Sequence, residues 1–391
     1  MMIPVASRTK SVNEYYFSGK LKEIEEMNKL GLNVINLGIG NPDLSPSPET
    51  IRKLIDSSSS PVNHGYQSYR GVPELRKSLS AWYLKFFGVK LDYDKEILPL
   101  MGSKEGIFYL TMAYLEPGDE VLVPDPGYPT YRSVSALLGG KITTYDLRKE
   151  NGWYPDLNEL EDRDLRKVKI MWVNYPHMPT GASPSKDLFR QLVGFGHKHQ
   201  ILICHDNPYS FILNKIPMSI LETDGGKEVA CELNSLSKSH NMAGWRIGML
   251  AGSGDLIRNV MKVTTNIQSG MFLPLQHAAQ QALSNNKEWF DKLNAEYVKR
   301  REVAWQLLDL LETEYSRDQS GMFVWAKLKS TNDDYEFSDR ILKGANVFIT
   351  PGSIFGVNGE GYVRVSLCTP PDKFKESIVR INRIVTNQYL K

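Results

Sequence analysis

Lys238 stands in the setting of this chain that most plainly calls for chemistry. It lies in Ser235-Leu-Ser-Lys238-Ser-His-Asn-Met-Ala-Gly-Trp-Arg246, a serine- and glycine-rich turn that follows the apolar run 229–236, with an arginine eight positions later. A lysine fixed between strands loses hydration, which disfavours its charged form, and the neutral amine can form an imine with a carbonyl cofactor. Neighbouring hydroxyls and a guanidinium are suited to holding a phosphate. A solvated loop lysine is the plainer reading of any one lysine, but here the serines and Arg246 need an explanation too.

Other stretches carry residue types that could serve the same site. The apolar run 200–206 ends in Asp206, with Tyr209 three residues on; such an aspartate can equally cap a turn. Leu98-Pro-Leu-Met-Gly102-Ser103-Lys104 opens a helix, and a Gly/Ser turn at a helix N-terminus presents free N–H groups and a positive dipole end to a phosphate. Tyr128 sits in the proline-stiffened loop 125–131, where a core tyrosine is the alternative. The glycines of Gly38-Ile-Gly40 allow close backbone approach to a ligand. Arg364, in Tyr362-Val-Arg364-Val-Ser366, has the fork that binds carboxylates at two points, against the reading of a surface arginine.

These residues need a scaffold, and the periodicity predicts one. Apolar strands at 120–124, 168–174 and 200–206 alternate with helices marked by Ile107 and Leu110 and by Leu188, Leu192 and Phe195, so a parallel sheet is expected, with its site beyond the C-terminal strand ends. Helices are predicted over 255–268 and 274–283, with another strand at 246–252. A long helix over 288–311 carries Leu293, Tyr297, Arg300 and Ala304 in series. Beyond it, strands at 321–328, 347–350 and 361–367 alternate with helices around 337–342 and 374–385 as a smaller α+β unit. The resulting division is a large domain over 47–285, and an N-terminal arm with a small domain over 1–46 and 286–391.

Composition narrows the function. The 391 residues exceed what one core usually organises, and 41% hydrophobic with 24% charged residues is ordinary globular composition. With 47 Lys+Arg against 45 Asp+Glu, the net charge of +2 points to no nucleic-acid partner. Three dispersed cysteines, Cys204, Cys231 and Cys368, argue against a disulfide framework or a zinc knuckle, and no metal site is expected. No signal-peptide core opens the chain, and no run of about 18 apolar residues would span a membrane. A cytoplasmic protein is expected.

Taken together and in order, the motifs resemble the class I/II aminotransferases, fold-type I enzymes that use pyridoxal phosphate. The resemblance runs from Tyr66 to Arg364 through Y-x-x-x-x-G-x-P-E-L, N-x-P-x-N-P-T-G, D-x-x-Y, S-x-S-K-(x)7-R, P-G-x-x-F-G and Y-x-R-[VIL]-S. It implies that Lys238 carries the cofactor, that Asp206 pairs with the protonated pyridine nitrogen and that Tyr209 reaches the ring oxygen. Ser103, Lys104, Ser235 and Arg246 would hold the phosphate, Tyr128 would stack on the ring, and Tyr66 would reach the phosphate of a neighbouring subunit in a homodimer. Gly40 and Arg364 would receive the substrate carboxylate. One departure stands out: Met178 occupies the position of the second asparagine, which the resemblance implies would touch the substrate carboxylate and donate to the cofactor's ring oxygen, and methionine cannot donate a hydrogen bond. His177, beside it, is a candidate replacement donor.

The implied reaction is transfer of an amino group from an L-amino acid to a 2-oxo acid such as 2-oxoglutarate, by a ping-pong cycle. The arm Tyr15-Tyr16-Phe17 and the stretch 269–276 look like the subgroup containing LL-diaminopimelate aminotransferase, with aspartate or aromatic amino acids as related substrates. A β-lyase or decarboxylase would use the same anchors. A catalytically silent cofactor-binding regulator would be expected to carry a helix-turn-helix segment ahead of the family region, which this sequence does not. A nicotinamide enzyme would want G-x-G-x-x-G between strand and helix, and Gly38-Ile-Gly40 lacks the third glycine.

Overall fold

The computed structural model describes residues 3–389, so the outermost residues of the arm and of the C-terminal segment lie outside it. Seven strands form the main sheet, in the spatial order Ile97–Leu100, Gly248–Ala251, Ala230–Ser235, Leu202–Asp206, Val168–Val173, Glu120–Asp125, Lys141–Asp146. Only Gly248–Ala251 runs against its neighbours; the remaining strands share one direction. The central strands are apolar on both faces because helices cover both. Val168–Val173 buries all but Lys169, and Ala230–Ser235 is buried throughout.

A second, antiparallel sheet orders Thr350–Pro351, Tyr362–Ser366, Phe323–Leu328 and Thr313–Tyr315. Ile35–Asn36 of the N-terminal arm pairs in parallel with Val347–Phe348, which ties the start of the chain to this part of the molecule. The helix Lys287–Leu310 buries Leu293, Tyr297, Arg300 and Ala304, the expected face. Arg300 is only 2% exposed and its charge is met by Asp43, at 2.6 Å, and by Glu296, at 3.2 Å. It also donates to the Leu367 carbonyl at 3.2 Å, so one guanidinium fastens the turn after Gly40 to the end of the strand that carries Arg364.

The predicted elements depart from the observed ones where backbone geometry intervenes. The strand expected from 246 begins only at Gly248, since Arg246 takes the left-handed conformation at φ 56°, which ladder pairing does not accept. The loop expected over 125–131 is shorter, since Pro129 opens a helix, Pro129–Leu137, that takes Tyr131 with it. The helix expected to reach 268 ends at Thr264.

Asp125 joins the two sheets. Buried at the end of its strand, its carboxylate accepts from Arg132 at 2.7 Å, from the Val357 amide at 3.1 Å and from the Asn358 amide at 2.9 Å. Gly356 passes so close, at φ 139°, that a Cβ would collide with the same carboxylate.

Candidate active site

One edge of the main sheet gathers the predicted residues. The chain leaves Ile97–Leu100 toward Ser103, Glu120–Asp125 toward Tyr128, Leu202–Asp206 at Asp206 itself and Ala230–Ser235 toward Lys238, each at a C-terminal strand end. Because Gly248–Ala251 runs the other way, its beginning lies at this edge too and Arg246 with it. Arg364 arrives from the second sheet. These side chains line a single cavity of about 540 Å³.

At one end the helix Ser103–Tyr114 starts with no side-chain cap, so its first N–H groups remain available. Gly102 precedes it at φ 98°, and a Cβ there would fall on the Arg246 guanidinium. Ser235 caps the short turn that carries Lys238 by accepting from the Ser237 amide at 3.1 Å, and its Oγ lies 2.8 Å from Ser237 Oγ. Ser103, Lys104, Ser235, Ser237 and Arg246 all face the cavity here, a concentration of donors and positive charge fit for a phosphate.

In the middle, Lys238 Nζ donates to the Gly40 carbonyl at 2.5 Å, and burial holds its ammonium below the usual lysine range. Asp206 is 6% exposed, and burial pushes its carboxyl up to about 6 against the opposing effect of a hydrogen bond from Tyr131. That bond, Tyr131 Oη to Oδ2 at 2.8 Å, leaves Oδ1 buried without a partner. Tyr131 is held by stacking flat on Trp172, centroids 5.0 Å apart and planes 2° from parallel. Asn174 fixes the backbone on either side, donating to the Asp206 carbonyl at 2.5 Å and accepting from the Met178 amide at 2.7 Å. Tyr128 and Tyr209 also line the cavity, and burial raises the Tyr209 phenol well above its usual range.

At the other end, Arg364 Nη2 donates to the Gly38 carbonyl at 2.7 Å, Nη1 lies 3.1 Å from Met178 Sδ, and Nε has no partner. Its guanidinium carbon sits 3.9 Å from the Phe323 ring centroid, 4.7 Å from Phe355 and 5.4 Å from Phe17. Burial among these rings pulls its pKa down to about 10, still charged at neutral pH, and a desolvated cation with spare donors is a strong site for a carboxylate. Gly40 is required nearby, for a Cβ there would strike the Phe323 ring.

Tyr66 is 93% exposed and lies outside the cavity of its own chain, so any part it plays in a site would be in a neighbouring subunit. One expectation is not met. His177 is no replacement for the missing donor at Met178: its Nδ1 pairs with Thr180 Oγ1 at 2.8 Å and the residue does not line the cavity. The spacing of the motif puts it one residue off, and the chain turns it inward, where burial lowers its pKa to about 3. Tyr131, Asn174 and the three phenylalanines were given no role from sequence. Tyr131 carried a local signal, a second tyrosine one helical turn after Tyr128, and Asn174 and Phe355 lie within motifs already noted, whereas Phe323 carried none.

A mostly parallel sheet thus brings a desolvated lysine and a buried carboxylate together at its C-terminal edge. Residues 33–381 match the model of aminotransferase class I and II, and the chain belongs to that family. It is a pyridoxal-phosphate-dependent aminotransferase of fold type I. LL-diaminopimelate aminotransferase from Halothermothrix orenii is 39% identical over 379 residues, covering 96% of this chain and 97% of that one. The enzyme of the same name from Aquifex aeolicus is 38% identical over 388 residues, covering 98% and 100%. Among solved structures, apo-BacF from Bacillus subtilis superposes with a TM-score of 0.94 at 34% identity, covering 98% of each chain. Aromatic aminotransferase from Pyrococcus horikoshii gives 0.86 at 28% identity, covering 94% of this chain and 100% of that one. Relatives of these names do not favour the β-lyase, decarboxylase or silent-regulator alternatives. Among the described residues no helix is long and apolar enough to cross a membrane.

Proposed function

We propose that this aminotransferase moves the α-amino group of an L-amino acid of the aspartate, aromatic or diaminopimelate type to a 2-oxo acid such as 2-oxoglutarate, with Lys238 as the residue that carries the cofactor. The observation that supports the assignment best is one cavity holding a lysine whose charge burial disfavours and a carboxylate with an unpartnered buried oxygen. A protonated pyridine nitrogen is the partner that Asp206 Oδ1 lacks, and the uncapped helix at Ser103 suits the phosphate, so the residues fit pyridoxal phosphate.

When bound, that cofactor supplies an aldehyde for covalent attachment of an amine and a ring that takes up the electron pair left at Cα. Ser103, Lys104, Ser235 and Arg246 would hold the phosphate. Tyr128 would cover the ring, Asp206 would keep the proton on its nitrogen and Tyr209 would donate to its oxygen. Arg364 takes the α-carboxylate at two points, above the Gly40 turn and beside Met178. Lys238, whose amine burial makes easier to deprotonate, would be the group placed to take up and return the substrate's Cα proton. Loss of a 2-oxo acid and entry of a second one complete the ping-pong cycle.

The reading includes a cytoplasmic homodimer in which the exposed Tyr66 reaches the neighbouring subunit's phosphate, and a division of labour between 47–285 and the remainder, 1–46 with 286–391. Offering amino donors one at a time with 2-oxoglutarate tests the reaction. Multiple turnovers that need the second 2-oxo acid support it; release of carbon dioxide or of a β-substituent in its place overturns it.

A further inference from the structure

Tyr66 is exposed, yet the backbone that carries it is anchored on both sides. Before it, Asn63 Nδ2 donates to the Ser57 carbonyl at 2.8 Å. After it, the Val72 amide donates to Gln276 Oε1 at 2.7 Å, and the other end of that side chain, Nε2, donates to the Met271 carbonyl at 2.6 Å. Gln276 is wholly buried near the start of the helix Leu273–Leu283, so one amide brackets two loops, 65–72 and 268–272. An N–H on one side and a carbonyl on the other leave it a single orientation. The two segments touch at two further points. Gly270, at φ 84°, lies so near the Gln67 carbonyl that a Cβ would collide with it, and the His64 and Phe272 rings stand 5.6 Å apart between centroids.

The bracket is buried, but what it presents is not. Val62, Tyr66 and Phe272 are all exposed, and neither Tyr66 nor Gln276 lines the cavity of its own chain. Large, mostly apolar side chains held out on a fixed backbone suit a second copy of this chain, and a loop ordered in advance has little freedom left to lose when it docks. We infer that Gln276 is a positioning residue for the neighbouring subunit's site: by bracketing the two loops it holds Tyr66 where it reaches the cofactor phosphate across the interface, a role that rests on the reading of Tyr66 as shared between subunits. A buried glutamine that served only the fold of its own chain would act on the Lys238 of that chain. One that positions Tyr66 acts on the Lys238 of the neighbouring chain.

Two hybrid dimers of identical composition, built from separately tagged chains, tell these apart. The first joins a Gln276→Leu chain to a Lys238→Ala chain, so the surviving Lys238 meets loops that keep Gln276. The second joins a wild-type chain to one carrying both changes, so the surviving Lys238 meets altered loops. The Gln276→Leu homodimer is expected to bind pyridoxal phosphate ~10-fold more weakly than wild type, the scale of one hydrogen bond to a charged group. Titration of the cofactor-free hybrids, with borohydride trapping to count occupied Lys238, reads affinity apart from turnover. In the first hybrid Lys238 should take up the cofactor with wild-type affinity, and in the second with the affinity of the Gln276→Leu homodimer. Equal affinities, or the reverse order, overturn the inference. Gln276→Glu keeps the acceptor for Val72 and, ionised, loses the donor to Met271; it takes the place of a leucine chain that does not fold and should show the same order with a ~3-fold loss. Failure of both chains to fold assigns Gln276 to its own chain and overturns the inference as well. Tyr66→Phe in the same two hybrids is the control. If it shows no difference between them, the shared site falls and the inference with it; if it does and Gln276→Leu does not, the inference alone falls.

Discussion

Replacing Tyr131 by phenylalanine removes one hydroxyl from a site where its effect is calculable. Phenylalanine keeps the ring stacked on Trp172, so packing is preserved and only the bond to Asp206 Oδ2 is lost. Asp206 titrates near 6 in the fold against about 3.9 in an unfolded chain, an upward shift of roughly two units, or about 3 kcal/mol. A raised folded pKa means that the protonated carboxyl stabilises the cofactor-free protein fully below about pH 4, and that this contribution is lost as pH rises through 6. Tyr131 opposes that loss by donating to the ionised form. Its bond is worth about 1.5–3 kcal/mol to a charged oxygen and about 0.5–1.5 to a neutral one. Tyr131→Phe is therefore expected to cost about 1 kcal/mol more stability at pH 8 than at pH 4, with the pKa of Asp206 rising by just under one unit. Parallel thermal unfolding of the cofactor-free wild type and variant across this range reads the difference directly. A penalty that is the same at both ends would show that Asp206 does not change charge in this window, and the assignment of its raised pKa to burial would fail.

Further outcomes follow from the same site. Lys238→Ala should abolish transfer while leaving a folded protein, and borohydride reduction of the wild type followed by peptide mapping should label Lys238; a label on another lysine ends the assignment. Mixing inactive Lys238→Ala with impaired Tyr66→Phe subunits should restore activity if the site is shared between subunits, and no recovery after demonstrated subunit exchange would refute sharing. Met178→Asn supplies a donor that no neighbour in the structure replaces, since His177 faces inward. It should lower the pH midpoint of the bound cofactor's absorbance change by up to about one unit, the worth of one neutral hydrogen bond, and an unmoved midpoint in a folded, loaded variant would show that Met178 serves packing alone.

The residues that were legible in the sequence share a property: each lies in a short motif whose members are covalent neighbours. Ser235, Lys238 and Arg246 are arranged by one turn, and Asp206 and Tyr209 by another, so their types and spacing carry the information. The parallel sheet was legible for a similar reason, since strands buried on both faces read as continuous apolar runs. Contacts between distant segments were not. Arg300 reads as one polar member of a helical face, and nothing within that helix says that Asp43, 257 positions away, neutralises it. Phe17, Phe323 and Phe355 are unremarkable alone and become a cage only when three segments converge on Arg364. Arg246 hid a backbone feature, a left-handed residue that delays its strand by two positions.

The Asp125 clamp bears on where the molecule can bend. The amides of Val357 and Asn358 end on a carboxylate from the other sheet, and the Gly127 amide returns the contact by donating to the Phe355 carbonyl at 2.8 Å. These crossing bonds weld the strand end to the loop, so a hinge between the two sheets would have to run elsewhere. Deuterium uptake would then map it by contrast, with slow exchange at 357 and 358 marking the fixed joint and faster uptake marking the flexure.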